Sequence, residues 1–180
     1  SVYGGVYNGK PVTFGYSEQI QSFAGIFSDW YADTALQFDP VKFNADEIVS
    51  LAKAAGMRSI VITTKHHDGF CMFNTATTEY NSVNATPSKR DYVKELSDAC
   101  RRGGINFAMY YSLIDWNFPH AYPISSHNCD FITPQHHEFS KAQITELLTN
   151  YGPVSELWFD MGSNQPEQSK ELYELVHKLQ

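Results

Sequence analysis

Three short apolar runs, each preceded by a helix-period stripe that stops near a glycine, set the pattern of this chain. Met57 to Thr64 (MRSIVITT), Ile105 to Ser112 (INFAMYYS) and Val154 to Asp160 (VSELWFD) are rich in β-branched and aromatic residues. Runs of this length and composition predict buried parallel strands. The first preceding helix is predicted over Asp46 to Ala55, with Ile48, Leu51, Ala52 and Ala55 as its apolar stripe. Asn44 is its N-cap, Glu47 follows three residues on, and Gly56 ends it. A second helix starts after Ser88, carries Val93, Leu96, Ala99 and Cys100, and stops at Gly103-Gly104. Thr133 caps a third, with Pro134 at the first helical position, and it runs through Ile144, Leu147 and Leu148 to Gly152. Pro166 opens a fourth, with Leu172, Leu175, Val176 and Leu179 on one side.

Alternating helices and strands mean an α/β fold whose parallel strands are joined by right-handed crossovers. The strands recur at roughly 48 residues, against about 30 for a minimal unit. The surplus follows the strands, in Lys65 to Pro87 and Leu113 to Thr133. A (β/α)₈ TIM-like barrel enlarges those loops because they build its active site; a doubly wound sheet also binds at its strands' carboxyl ends, and periodicity does not separate the two. A barrel takes about 250 residues, so the expectation for residues 1–180 is a single, incomplete barrel domain lacking its first strand and its C-terminal units. Ser1 to Phe43 has no strong period and reads as a long loop whose parent strand lies upstream.

Composition narrows the function. Thirteen basic and twenty acidic residues give a formal charge of −7, which argues against nucleic acid, whose phosphates need clustered Lys and Arg. No run of 18 apolar residues is present, so no membrane-spanning helix is predicted, and Ser1 to Gly5 show no signal-peptide pattern. Cys71, Cys100 and Cys129 have no CxxC spacing and indicate neither a disulfide framework nor a structural zinc site. Asn84-Ala85-Thr86 fits a glycosylation sequon, but Pro87 follows it.

Chemistry in such a fold belongs where each strand ends. The first ends in Lys65-His66-His67-Asp68-Gly69-Phe70, where paired imidazoles and a carboxylate can orient sugar hydroxyls, move protons or bind a metal. The second ends in Tyr110-Tyr111-Ser112, with Asp115-Trp116 beyond. In the third, Trp158 and Asp160 share a face, an indole platform beside a carboxylate. Gly162, Ser163 and Asn164 separate Asp160 from Pro166, a poor spacing for an N-cap.

At these residues the chain resembles the family 29 glycoside hydrolases, the α-L-fucosidases, over essentially its whole length. The resemblance is carried by Gly15 to Phe23, KHHDGF at Lys65 to Phe70, Thr86 to Leu96, YYSLIDW at Tyr110 to Trp116, and LWFDMG at Leu157 to Gly162. It implies a (β/α)₈-like barrel that hydrolyses terminal α-L-fucosides with retention, through a covalent fucosyl-Asp160 intermediate. His66 and His67 match histidines that hydrogen-bond fucose, Trp158 a tryptophan lining the sugar, and Tyr111 a pocket tyrosine, with Tyr110 its alternative one residue away. Asp29-Trp30-Tyr31 resembles the family's Glu-Trp-Tyr loop, with the acid a methylene shorter, and would bring Asp29 and Trp30 to the pocket. The acid/base carboxylate, an arginine and a further histidine are expected outside these 180 residues, so the segment alone should be nearly inactive.

Under this reading Asp160 attacks the anomeric carbon while a carboxylic acid roughly 5 Å away protonates the departing oxygen. His66 and His67 are expected to donate to hydroxyls. The partner is a fucosylated glycan or glycoconjugate; no metal or organic cofactor is expected, and the family implies a periplasmic, secreted or lysosomal setting. Two alternatives stand beside it. One is a metal-dependent hydrolase using His66, His67, Asp68 and Asp115 or His120. The other is a non-catalytic sugar-binding fragment.

Overall fold

The structure is a computed structural model that describes residues 5–13, 15–121 and 131–180. Its centre is a parallel sheet of β3 (Ser59–Lys65), β4 (Asn106–Ser112) and β5 (Glu156–Asp160), in that spatial order. Before it come a small antiparallel hairpin, β1 (Gly5–Tyr7) and β2 (Lys10–Val12), and two short helices, α1 (Ile20–Phe23) and α2 (Ser28–Ala32). The N-terminal stretch expected to be a plain loop therefore holds local structure. The larger helices are α3 (Ala45–Ala54), α4 (Tyr92–Gly103), α5 (Pro134–Asn150) and α6 (Pro166–Leu179). Cys129 lies outside the described residues, and no described helix is long and apolar enough to cross a membrane.

Each strand follows a helix, so the parallel arrangement is the one the alternation predicts. The caps follow local chemistry. The Glu47 amide donates to Asn44 Oδ1 at 3.1 Å, and the His136 amide to Thr133 Oγ1 at 3.1 Å. Helix α4 starts at Tyr92 rather than after Ser88, because Lys89 has φ +53° and breaks the helical path. Asp91 takes the cap instead, accepting from the Lys94 amide at 2.8 Å.

The helices cover one face of the sheet. Ile60, Ile62, Phe107, Met109, Tyr111, Leu157 and Phe159 pack there against Val93, Leu96, Cys100, Ile144, Leu147 and Leu172. The stripe expected on α3 is rotated: Ala45, Val49 and Ala52 are buried, whereas Leu51 is 71% exposed. The cause is α4, which offers α3 a glycine. A Cβ on Gly103 would lie 2.4 Å from Val49 Cγ1, so only a side chain of no size lets the two helices meet there.

Gly103→Ala is expected to destabilise the protein by about 1–3 kcal/mol through overpacking, read as a lower urea midpoint at unchanged slope. Adding Val49→Ala should recover part of the loss; fully additive losses would show that these two positions are not in contact.

Candidate active site at the carboxyl ends of the strands

The site begins with a β-bulge. Thr63 pairs with Tyr110 but Lys65 pairs with Tyr111, leaving Thr64 as the extra residue, its hydroxyl donating to the Tyr110 carbonyl at 2.7 Å. The bulge turns Lys65 to the helix-covered side, over the Tyr111 ring at 4.6 Å, and ends the strand. His66 and His67 therefore escape strand alternation, and their rings lie together with centroids 3.8 Å apart.

His67 is held on several sides. Its carbonyl accepts from the Trp116 amide at 2.8 Å, its Nδ1 lies 2.8 Å from Ser112 Oγ, and its ring meets the Trp116 ring at 5.5 Å. Burial, helped by neighbouring His66 and partly opposed by Asp160, lowers its pKa to about 4. Burial also lowers that of His66, against the charges of Glu18 and Asp160. Both rings are neutral at physiological pH.

Across the sheet, His66 stacks near Tyr110 at 5.8 Å, and Tyr110 meets Trp158 edge-on at 5.4 Å. The Tyr110 hydroxyl donates to Asp160 Oδ2 at 2.5 Å. Burial and this bond raise the Tyr110 pKa, so the proton stays on the phenol. Asp160 is the last residue of β5, registered opposite Ser112, and its carbonyl accepts from the Leu113 amide at 2.8 Å. Met161 and Gly162 have φ +60° and +82° and turn the chain away; the N-cap of α6 is Gln165, so Asp160 is not a cap.

Tyr111 does not enter this group. It is fully buried on the opposite face, where its hydroxyl donates to Gln143 Oε1 at 2.7 Å. Strand alternation allows one tyrosine of the pair on each side, and the alternative, Tyr110, is the one beside Asp160. Trp158 is on the site side and 54% exposed, an open platform.

Asp29 and Trp30 are both exposed, Trp30 by 61%, and Trp30 packs its edge on Phe27 at 5.3 Å. Helix α2 is fixed near the site by Ser28, whose hydroxyl donates to the Trp116 carbonyl at 2.5 Å. Besides Asp160, the acidic side chain whose charge reaches both His66 and Tyr110 is Glu18. It stands within the matching Gly15 to Phe23 stretch, which carries no tripeptide like Asp29-Trp30-Tyr31 to mark a pocket acid.

Beneath the histidines, Lys65 Nζ bonds Asp115 Oδ2 at 3.1 Å with both side chains buried. Asp115 Oδ1 accepts from the Asn117 and Phe118 amides, each at 2.9 Å. Gly69 has φ +84°, and a Cβ there would meet Asp115 Oδ1 at 2.3 Å. Asp115 and Asp68 are thus structural: Asp68 is used by the Phe70 amide at 3.1 Å, and burial raises its pKa to about 6. Among the described residues, the cluster with metal-ligand spacing is instead His137, Glu138 and Glu171. Lys141 Nζ already bridges its two carboxylates at 2.9 and 3.0 Å.

Comparison with known proteins identifies the family. Residues 14–180 match the family model described as Alpha-L-fucosidase. The chain is 34% identical to alpha-L-fucosidase 1 of Arabidopsis thaliana over 152 residues, 79% of this chain and 28% of that protein. It is 33% identical to the plasma alpha-L-fucosidase of Homo sapiens over 149 residues, 77% of this chain and 29% of that protein. It thus spans under a third of the curated relatives it matches. Among solved structures, alpha-L-fucosidase AlfC from Lactobacillus casei in complex with its α-L-fucose product superposes with TM-score 0.88 and 34% identity, covering 98% of this chain and 61% of that one. A trapped covalent intermediate of a Bacteroides thetaiotaomicron alpha-L-fucosidase gives 0.84 and 31%, covering 98% and 41%.

Tyr111→Phe should cost about 1–3 kcal/mol of stability, because it strands Gln143 Oε1 without its donor; an unchanged denaturation midpoint would remove the tyrosine from the core network. Acid stability follows from the histidines. His67 and His136, the latter also lowered to about 4 chiefly by burial, bind protons more readily unfolded between pH 6.5 and 4. Their contribution is complete above 6.5 and is lost as pH falls toward 4. Asp68, raised from 3.8 to about 6, acts oppositely over nearly the same window. The two histidines outweigh the single carboxyl, so the urea midpoint should fall on acidification. His136→Phe should shallow that fall, and an unaltered pH slope would contradict the assignment.

Proposed function

The chain belongs to the alpha-L-fucosidase family, and from that premise we propose that it carries the nucleophile and sugar-orienting groups of a retaining glycosidase for terminal α-L-fucosides. The observation that carries this reading is the Tyr110–Asp160 contact at the carboxyl end of β5, with His66, His67 and Trp158 around it. An aimed carboxylate, neutral imidazoles and an exposed indole suit a sugar ring with hydroxyls on its rim and C–H groups on its face. The three strands are, on this reading, part of a (β/α)₈ barrel of which residues 1–180 form one portion. Parallel register, long loops after β3 and β4, and similarity to AlfC support it.

Asp160 attacks the anomeric carbon as the bond to the aglycone breaks. A carboxylic acid supplied from outside residues 1–180 gives its proton to the departing oxygen. Water, deprotonated by the same group, then cleaves the fucosyl ester and returns Asp160 as carboxylate. Tyr110 holds one carboxylate oxygen so that the other faces the sugar. No step asks for a metal. The Bacteroides thetaiotaomicron relative was trapped as a covalent intermediate with 2-fluoro-fucosyl fluoride, which recommends the same probe here.

In the full-length protein, Asp160→Asn should lower kcat on an aryl α-L-fucoside by at least about 10³-fold. Incubation with 2-fluoro-fucosyl fluoride should release fluoride from C1 and add one 2-fluoro-fucosyl mass to the wild-type peptide containing Asp160. Near wild-type turnover of the variant, or label on another residue, would refute the assignment. Tyr110→Phe should lower kcat about tenfold with little change in unfolding midpoint; unchanged kcat would mean that the phenol does not aim the nucleophile.

A further inference from the structure

We infer that Ser112 is a positioning residue that fixes the tautomer of His67, so that this imidazole accepts a hydrogen bond from a bound sugar's hydroxyl instead of donating one. The inference deepens the fucoside reading and rests on it for the identity of the ligand. Its physical content, however, lies in this chain alone.

A serine hydroxyl has a single proton. Ser112 Oγ is 3.0 Å from the Ile114 carbonyl and 2.8 Å from His67 Nδ1. The carbonyl can only accept, so the hydroxyl proton goes to it. The lone pairs of Oγ then face Nδ1, which must donate. A neutral imidazole with its proton on Nδ1 carries a bare lone pair on Nε2. The ring is neutral over the whole physiological range, because burial with His66 and Lys65 nearby outweighs the attraction of Asp160.

The ring cannot readily turn over. The His66 ring lies tilted against it at 3.8 Å and Trp116 meets it at 5.5 Å, while the Trp116 amide holds the His67 backbone. Among the described residues Nε2 has no hydrogen-bond partner, yet it is not one of the sealed partnerless atoms, a group that includes both ring nitrogens of His136. His67 is only 2% exposed, so on this inference a ligand, and not bulk solvent, supplies the missing donor. Ser112 is also registered directly opposite Asp160, so one residue of the central strand sets both the depth of the nucleophile and the polarity of the histidine. The consequence is selectivity: the sugar position facing His67 must carry a hydrogen-bond donor. A hydroxyl fits, whereas fluorine, methoxyl or hydrogen leaves Nε2 unmatched.

Two measurements on the full-length protein test this. With ¹⁵N-labelled histidine, NMR at neutral pH should show His67 protonated at Nδ1 and bare at Nε2. Ser112→Ala should move the proton toward Nε2, and Ser112→Thr, which keeps the hydroxyl, should not. In kinetics on an aryl α-L-fucoside and its 2-, 3- and 4-deoxy analogues, Ser112→Ala should lower kcat/KM about tenfold on the parent. It should have little effect on the one analogue lacking the hydroxyl that His67 accepts. A wild-type His67 protonated at Nε2, or a tautomer unmoved in Ser112→Ala, would overturn the inference. So would an equal loss on all four substrates. If Ser112→Ala does not fold, the wild-type tautomer and the Ser112→Thr kinetics still decide. A shifted tautomer in an enzyme that ignores every fucoside would sink the substrate reading and leave the Ser112 contact standing.

Discussion

The site depends on an ion pair that no substrate touches. Lys65 and Asp115 are both buried, and desolvating two charges costs several kcal/mol per ion before their attraction offsets it. A pair of this kind adds little net stability, but it tolerates few geometries, and here each partner holds a separate loop. The bulge at Thr64 delivers Lys65 beneath the sheet's edge, and the chain must rise again at His66. Asp115 closes the turn at Asn117 and Phe118 and brings the Trp116 amide to the His67 carbonyl. Gly69 passes so close to Asp115 that a methyl group there would collide with its carboxylate. Burial opposes the charge on Lys65, but Asp115 outweighs it and the ammonium is held more firmly than in water. That fixed charge also disfavours protonation of His67 and His136.

From this anchor the two faces of β4 divide the labour. Its helix side presents Phe107, Met109 and Tyr111 to the core, and its open side presents Tyr110 to Asp160. Two chemically identical neighbours thus have unrelated tasks. One phenol satisfies Gln143, whose amide in turn donates to Thr77 Oγ1 and Cys71 Sγ. That chain of bonds fastens the long loop after β3 to α5. The other phenol, raised in pKa and permanently protonated, aims a carboxylate. The central strand is buried along nearly its whole length, so the deep side of the site is rigid, whereas Trp158 beside Tyr110 is more than half exposed.

Most of the frame was legible because its signals are local. Helix caps, glycine stops and β-branched runs report backbone preferences that tertiary contacts here leave in place, and the ends of β3, β4 and β5 fell within two residues of expectation at the site. What could not be read is what depends on a neighbour distant in sequence. The buried side of α3 is chosen by Gly103 in α4, so Val49 displaces Leu51. Which of Tyr110 and Tyr111 faces the site depends on sheet register, and a tyrosine pair carries no period to reveal it. Asp29 resembled a pocket acid by its neighbours Trp30 and Tyr31, whereas Glu18 acts on the site through proximity alone. Lys65 has no local signal for its role, because nothing near it in sequence announces a partner 50 residues away.

The same division explains why the histidines differ although they adjoin. His66 feels Glu18 and Asp160 and is less deeply buried than its neighbour. His67 lies a layer deeper, flanked by a cation, a second imidazole, an indole and a serine, and has lost its freedom to choose a proton state. A pocket built this way separates adaptability from discrimination. On the proposed reading, the outer ring and the exposed Trp158 indole are the groups left free to adjust to a sugar. The inner ring offers one fixed lone pair, set by a hydroxyl whose only proton is committed to the Ile114 carbonyl. Selectivity between sugars that differ by one hydroxyl needs such a buried, unmatched group, because apolar contact alone distinguishes them weakly. The buried ion pair fixes the two loops that frame that inner layer.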